Sequence, residues 1–225
     1  MNYARRYFGL TTIGDRLYAT GGWSPSTSRQ TFVESFSHET GWVIEDTMEL
    51  PSSRDRHCSV ALGSRLVVLG GAVGGRTESS SVQAFDTSNQ ALNTTTTWVS
   101  LASMSAAREY FACNTGNFEG IFGIYVTGGQ NTAVLNTVEF YSPVTDIWTN
   151  LDSLGTARAF HSLTIVNGQM VVAGGSPEIT SVETLNGTEW IQTNNLKVCL
   201  KFKFKVKVKV SNSPSRQSCV YRWNL

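Results

Sequence analysis

The sequence predicts an all-β protein built from four repeated units, each made of four short strands. Two observations support this fold class. A glycine pair closes an apolar stretch four times, and the same residue types surround each pair in the same order. In addition, no segment shows the sustained 3.6-residue hydrophobic period of an amphipathic helix. The repeats are therefore expected to be units of sheet, packed against one another.

The glycine pairs are the most regular feature of the repeat. Each ends a run of strand-forming residues, and their first members are 49, 58 and 46 residues apart. Glycine adopts positive φ cheaply and allows main chains to approach closely, as crowded sheets require. We therefore expect a structural role for the pairs, which are Gly21 and Gly22, Gly70 and Gly71, Gly128 and Gly129, and Gly174 and Gly175.

An arginine precedes each glycine pair and a tryptophan follows it. The arginine stands 16, 16, 20 and 16 residues before the first glycine, and a Val-Glu element lies between the glycines and the tryptophan. Gln83 replaces the glutamate once. The arginines are Arg5, Arg54, Arg108 and Arg158, and the tryptophans are Trp42, Trp98, Trp148 and Trp190.

Each unit is interpreted as four strands joined by turns. One strand follows the arginine, the second ends at the glycine pair, the third carries the Val-Glu element, and the fourth carries the tryptophan. A single sheet cannot bury both faces, so the units are expected to pack radially as propeller blades, with the tryptophans filling the wedges between them. The predicted units span residues 5–50, 54–103, 108–154 and 158–192.

This order of residues resembles the kelch repeat, in which an arginine or histidine, a glycine pair, a Val-Glu element and a tryptophan recur. The resemblance is strongest from Arg158 to Trp190, and we assign residues 1–192 to kelch repeats. It implies a kelch-type β-propeller. Because family propellers commonly have six blades, four units predict an incomplete propeller, and the chain is expected to be a fragment. Many kelch proteins also carry an N-terminal BTB domain that engages a cullin ubiquitin ligase, and this sequence contains none.

The C-terminal segment 193–225 differs sharply from the repeats. Residues 1–196 contain no lysine and have a net charge of −7, whereas residues 197–225 contain six lysines and no acid, with a net charge of +8. Lysines alternate with apolar residues over 201–209. Three interpretations are open: a closing strand of the propeller, a segment that binds acidic partners or anionic lipid, or a basic tail that is disordered or not native to the protein.

Motifs for other functions are scarce. A Walker A loop needs a lysine that the repeat region lacks, and the acidic repeats argue against nucleic-acid binding. His57 and His161 occupy positions where other units have Phe8 and Phe111, which favours packing over metal ligation. We therefore expect no cofactor, metal site or membrane span, and free thiols at the four cysteines in a cytoplasmic protein.

The sequence therefore favours a non-catalytic module that binds a protein or peptide, with an acidic ligand as one candidate. Arg5, Arg54, Arg108, Arg158 and Trp23 are the predicted partner contacts, because similar kelch domains place such arginines near the mouth of the central channel. The competing interpretation pairs each arginine with the glutamate of a neighbouring blade. By resemblance, the context would be substrate recognition for a ubiquitin ligase if the native chain is longer. The alternatives are actin binding and, less favoured, a copper-dependent kelch-fold oxidase.

Overall fold

A computed structural model describes residues 1–26, 28–74, 77–88, 97–176, 179–187 and 189–193. Over these residues the regular secondary structure is almost entirely β-strand, and a short 3-10 helix spans Asp46–Met48. From residue 194 onwards, the basic segment and the predictions made for it lie outside the described residues.

The strands follow one another at the intervals that the repeats predict. In chain order they are β1 (Gly9–Ile13), β2 (Arg16–Thr20), β3 (Trp23–Ser24), β4 (Ser28–Arg29), β5 (Val33–Ser37), β6 (Gly41–Ile44), β7 (Arg54–Asp55), β8 (Cys58–Leu62), β9 (Arg65–Leu69), β10 (Ala72–Val73), β11 (Thr77–Glu78), β12 (Val82–Asp86), β13 (Val99–Leu101), β14 (Ala112–Phe118), β15 (Ile121–Thr127), β16 (Val138–Ser142), β17 (Ile147–Leu151), β18 (Ser162–Val166), β19 (Gln169–Ala173), β20 (Val182–Asn186) and β21 (Glu189–Thr193).

Four sheets of four antiparallel strands form the blades. Blade 1 is β1-β2-β5-β6, blade 2 is β8-β9-β12-β13, blade 3 is β14-β15-β16-β17, and blade 4 is β18-β19-β20-β21. In each blade the strands pair in chain order, so each repeat folds as a meander. The short strands β3, β4, β7, β10 and β11 form two small additional sheets.

The first strands of successive blades contact one another, β1 with β8, β8 with β14, and β14 with β18. This places the first strand of each blade innermost, as in a β-propeller. Hydrophobic clusters fill the spaces between the sheets. One of them joins Val60 and Val67 of blade 2 to Phe111, Ile124 and Val126 of blade 3. Stability therefore depends on contacts between blades as well as within them.

Blade 3 contains a longer first hairpin than the others. The strands β14 and β15 have seven residues each, and they pair from Ala112 with Thr127 to Phe118 with Ile121. Four extra residues between Arg108 and Gly128 thus extend this hairpin. Its tip exposes two large apolar side chains, with Ile121 57% and Phe122 51% exposed.

The tryptophans pack across the boundaries between blades. The indole Nε1 of Trp148 in blade 3 donates to the carbonyl of Ala102 at 2.7 Å. Trp190 of blade 4 donates to the carbonyl of Asp152 at 2.8 Å. Trp98 donates to the carbonyl of Met48 at 3.1 Å. Each of these tryptophans is thereby bonded to the preceding unit, whereas Trp42 contacts Phe36 of its own blade.

The glycine pairs lie where the next blade approaches. A Cβ on Gly21 would be 2.6 Å from the carbonyl oxygen of Arg54, and Gly21 has φ +53°. The following glycine, Gly22, donates its amide to that same carbonyl at 2.8 Å. The contact recurs from Gly71 to Arg108 and from Gly129 to Arg158, at 2.9 Å each. Close approach and positive φ together require glycine here.

Two of the four cysteines form a disulfide. It joins Cys58, at the start of β8 in blade 2, to Cys113 in β14 of blade 3. The prediction of free thiols is therefore wrong for this pair. The residues are 55 positions apart, and only the radial packing of two repeats brings them together, so sequence spacing gave no sign of the bond.

Candidate functional site

The four repeat arginines lie inside the blades. The side chain of Arg5 has no exposed surface, and Arg54, Arg108 and Arg158 are 1%, 0% and 0% exposed. Each donates from Nη1 to the carbonyl of the first glycine of its own repeat, at 2.9, 3.1, 2.7 and 2.9 Å in chain order. The arginines thus tie the start of each repeat to the end of its second strand.

Three of these arginines also form buried ion pairs with the glutamate of the Val-Glu element. The pairs are Arg5 with Glu34, Arg108 with Glu139, and Arg158 with Glu183. In every case the glutamate belongs to the same repeat, so the expected pairing with a neighbouring blade is corrected to pairing within the blade. Burial of this kind argues against partner contact through these four guanidinium groups.

The glutamates use their second oxygen to hold the segment that leads into the repeat. Glu139 Oε2 accepts the amide of Ser105 at 2.7 Å, and Glu183 Oε2 accepts the amide of Gly155 at 2.6 Å. Both segments join one blade to the next. A single buried Arg-Glu pair thereby fixes the connection, the glycine turn and the third strand together.

Residues with positive φ recur two positions after each repeat arginine. Tyr7, Arg56, Tyr110 and Phe160 have φ of 58°, 58°, 53° and 57°. Their backbones are bonded in series, since Arg56 N donates to Tyr7 O at 2.8 Å, Tyr110 N to Arg56 O at 3.1 Å, and Phe160 N to Tyr110 O at 2.8 Å. We call these four residues the inner collar, because they connect the blades just before the innermost strands begin.

The side chains of the inner collar stack on one another. Tyr110 and Phe160 have ring centroids 3.9 Å apart. The guanidinium carbon of Arg56 lies 5.0 Å from the ring centre of Tyr110 and 5.6 Å from that of Tyr7. Tyr7 and Phe160 remain 40% and 54% exposed. The collar therefore presents an exposed aromatic surface that is interrupted by one cation.

A cavity of about 280 Å³ adjoins the collar at blades 1 and 2. Asp55 is buried in its wall, where it accepts from Arg29 Nε at 2.6 Å. Arg56 lies beside it and pairs with Glu109 at 3.0 Å. We call this cavity the blade 1–2 pocket; its lining residues are Arg6, Tyr7, Trp23, Ser28, Arg29, Asp55 and Arg56.

Among the described residues, Arg6 is the cation of this pocket for which no acidic partner is found. Its guanidinium carbon lies 4.4 Å from the ring centre of Trp23 and 5.2 Å from that of Tyr7. Arg6 forms no ion pair among the residues that the structure describes, whereas Arg29 and Arg56 both do. A guanidinium stacked by its face on an aromatic ring keeps its N–H edge free to donate. The pocket therefore offers an ordered anion contact.

The structure brings one predicted contact residue to this pocket. Trp23 is half-buried in its wall and pairs with Arg29 in the β3-β4 ribbon. Sequence reasoning missed Arg6, Arg29 and Arg56. The sequence did contain a signal for the inner collar, because a residue with a planar side-chain group (Tyr, Arg or Phe) follows every repeat arginine by two positions. Arg6 and Arg29 do not recur in the other repeats, so the repeat gave no sign of them.

The two histidines that follow a repeat arginine by three residues pack at blade boundaries. His57 Nε2 bonds to Thr20 Oγ1 of blade 1 at 2.8 Å, and His161 Nε2 bonds to Thr127 Oγ1 of blade 3 at 2.8 Å. Burial is the main reason that the pKa of His57 falls to about 3, with the charges of Arg54 and Arg5 adding to it. Burial likewise lowers the pKa of His161 to about 4. Both rings are therefore neutral at pH 7.

A search of the described ranges finds no group of three or more His, Cys, Asp or Glu side chains placed to hold a metal ion. Within those same ranges, no helix is long and apolar enough to cross a membrane.

Part of the repeat region matches a known repeat motif. The Kelch motif matches residues 53–105 and 123–155. Kelch-like protein 15 of Danio rerio is 27% identical over 193 residues, covering 78% of this chain and 31% of the relative. Kelch-like protein 36 of Rattus norvegicus is 30% identical over 139 residues, or 60% of this chain and 21% of the relative.

A third relative has a different name. Spermatocyte protein spe-26 of Caenorhabditis elegans is 29% identical over 182 residues, covering 76% of this chain and 30% of the relative. The chain thus spans less than a third of the length of these curated relatives. The chain therefore contains Kelch motifs, and it folds into four blades of the expected strand order with glycine pairs at the blade boundaries.

Proposed function

We propose that this chain is a non-catalytic protein-interaction module that binds an acidic peptide segment at the blade 1–2 pocket. The observation that carries the proposal is Arg6, an exposed guanidinium stacked on Trp23 with no carboxylate partner among the described residues. A carboxylate is the partner that such a group pairs with most strongly.

Electrostatics around the pocket support an acidic ligand. Three arginines line the cavity against one aspartate, although the repeat region as a whole is net acidic. Asp55 is already engaged by Arg29 and Arg56. A local positive site on an acidic surface concentrates anionic ligands and makes their binding dependent on salt.

The aromatic part of the inner collar supplies the apolar half of a peptide site. Tyr7 and Phe160 are exposed, and both are fixed by the backbone bonds that connect the blades. Ordered aromatic side chains gain contact area at low entropic cost, which is why they dominate protein-binding surfaces. We therefore expect the ligand to carry an acidic residue beside an apolar or aromatic one.

A peptide screen tests this class of ligand. The purified chain is used to select from a library of random peptides displayed on phage, and binding of the enriched sequences is measured at 50 and 500 mM salt. We expect enrichment of Asp or Glu and weaker binding at the higher salt. Enrichment of basic or uncharged sequences would contradict the proposal.

The wider context is proposed on resemblance. We place the module in the cytoplasm, as the substrate-recognition part of a ubiquitin-ligase adaptor that includes a BTB domain. The support is similarity to kelch-like proteins more than three times the length that this chain matches. On this proposal the chain by itself binds substrate but does not bind a cullin, which co-precipitation with purified cullin checks directly.

A further inference from the structure

The disulfide between Cys58 and Cys113 links two neighbouring blades. The other described blade boundaries are held by hydrogen bonds and packing instead. At the boundary of blades 1 and 2, Thr11 and Ser59 share a hydroxyl hydrogen bond at 2.6 Å. At the boundary of blades 3 and 4, Asn114 donates to the carbonyl of Leu163 at 3.2 Å. Among the described residues, only blades 2 and 3 are joined by a disulfide.

The same boundary is well held without the disulfide. Gly71 N donates to Arg108 O at 2.9 Å, and Tyr110 N donates to Arg56 O at 3.1 Å. A hydrophobic cluster joins the two sheets, with Val60 and Leu69 on one side and Ile124 and Tyr141 on the other. The reduced chain therefore keeps the contacts that place blade 3 against blade 2, and reduction loosens this boundary without removing it.

Neither cysteine of the disulfide is fully buried. Cys58 and Cys113 are both half-buried at the edge of this cluster. Thiol–disulfide exchange requires access to a sulfur atom, and partly exposed disulfides are more easily reduced than structural ones sealed in a core.

We propose that Cys58 and Cys113 are a reversible redox-modification site, which cross-links blades 2 and 3 under oxidising conditions and releases them under reducing ones. The inference is independent of the proposed peptide site. The disulfide lies close to that site, since Cys58 follows Arg56 by two residues and Cys113 follows Tyr110 by three. Arg56 and Tyr110, which share a backbone hydrogen bond, are thus held next to the two cross-linked strands, β8 and β14.

Oxidation proceeds by two exchanges with a low-molecular-weight disulfide such as oxidised glutathione. One cysteine thiolate attacks this reagent, forms a mixed disulfide and releases one glutathione thiolate. The second cysteine thiolate attacks the protein sulfur of the mixed disulfide and releases a second glutathione thiolate. Two protein thiols thus lose two electrons and two protons in total, and one oxidised glutathione becomes two reduced ones.

The experiment equilibrates the whole chain in glutathione buffers of varied ratio, quenches with acid, alkylates free thiols and maps peptides by mass spectrometry. We expect the linked Cys58–Cys113 peptide to dominate in oxidised glutathione and to disappear in millimolar reduced glutathione under native conditions. If the Cys58–Cys113 disulfide persists in reduced glutathione, it is structural only. If it does not form in oxidised glutathione, the two cysteines are not a redox pair. Either result overturns the proposal.

Two controls make the result specific. Replacing the other cysteines, Cys199→Ser with Cys219→Ser, should leave the redox titration unchanged. In thermal unfolding, the melting temperature of the oxidised chain should be about 5 °C or more above that of the reduced chain. The double variant Cys58→Ser with Cys113→Ser should have the melting temperature of the reduced chain in either buffer. Equal melting temperatures for the oxidised and reduced chains would show that the cross-link has no effect on the boundary.

Discussion

Arg54 donates to the amide oxygen of Gln83 at 3.0 Å, in the position where the other three repeats have an arginine–glutamate ion pair. Its other partners are also neutral, namely the carbonyl of Gly70 and the hydroxyls of Ser52 and Ser81. The side chain is buried, and burial lowers the pKa of Arg54 to about 10. Blade 2 therefore contains a buried cation that has no carboxylate beside it among the described residues.

The substitution Gln83→Glu should stabilise the chain. It supplies the missing counter-charge and converts a neutral hydrogen bond into a charge-assisted one, for a gain of about 1 kcal/mol in the free energy of unfolding. Urea unfolding at pH 7 measures this gain. As the matched control, Glu139→Gln removes the carboxylate from Arg108 and should cost about 3 kcal/mol. If the Gln83→Glu chain is less stable than the wild type, a missing counter-charge is not what limits the stability of blade 2 around Arg54.

Substitution of a boundary glycine should be far more costly than substitution of a turn glycine. In Gly21→Ala the new Cβ meets the Arg54 carbonyl at 2.6 Å, and φ is +53°. We expect a loss of about 3 kcal/mol or more. Gly14 has a similar φ of +59° but nothing within 4 Å, so Gly14→Ala should cost only about 1 kcal/mol. Equal losses in denaturant unfolding would mean that backbone strain alone explains the glycine pairs.

Stability should fall as the pH drops below about 6.5. His57 and His161 stay neutral in the folded chain because their pKa values are lowered to about 3 and about 4. In the unfolded chain they gain a proton near pH 6.5. Between these values only the unfolded state binds the proton, so each histidine lowers the free energy of unfolding by up to ~1.4 kcal/mol per pH unit.

Replacement of one histidine tests this dependence. Phe111 occupies in blade 3 the position that His161 occupies in blade 4, so His161→Phe places in blade 4 the side chain that blade 3 carries there. Urea unfolding at pH 7, 6 and 5 should show a shallower loss for His161→Phe than for the wild type. If the two chains lose stability in parallel, the acid sensitivity has its origin elsewhere.

Much of the fold follows from local pattern, whereas the site depends on contacts between repeats. The glycine pairs, the Val-Glu strands and the arginines have fixed spacings, and each marks a definite point in a blade. The disulfide of Cys58 with Cys113 and the stacking of Arg6 on Trp23 arise only when distant segments meet. Sequence reasoning recognised that the arginines recur at one structural position and left two interpretations open, partner contact and pairing with a glutamate of a neighbouring blade; in three repeats the structure has the arginine paired with a glutamate of its own blade.

The affinity of one selected acidic peptide for two arginine variants tests the central claim most directly. Arg6 precedes β1 at the collar end of blade 1, whereas Arg16 begins β2 at the opposite end and pairs with Glu45. Both Arg6→Ala and Arg16→Ala remove one positive charge from the same blade. Isothermal titration should show at least roughly tenfold weaker binding for Arg6→Ala and wild-type affinity for Arg16→Ala. Equal affinity of Arg6→Ala and the wild type would contradict binding at the blade 1–2 pocket.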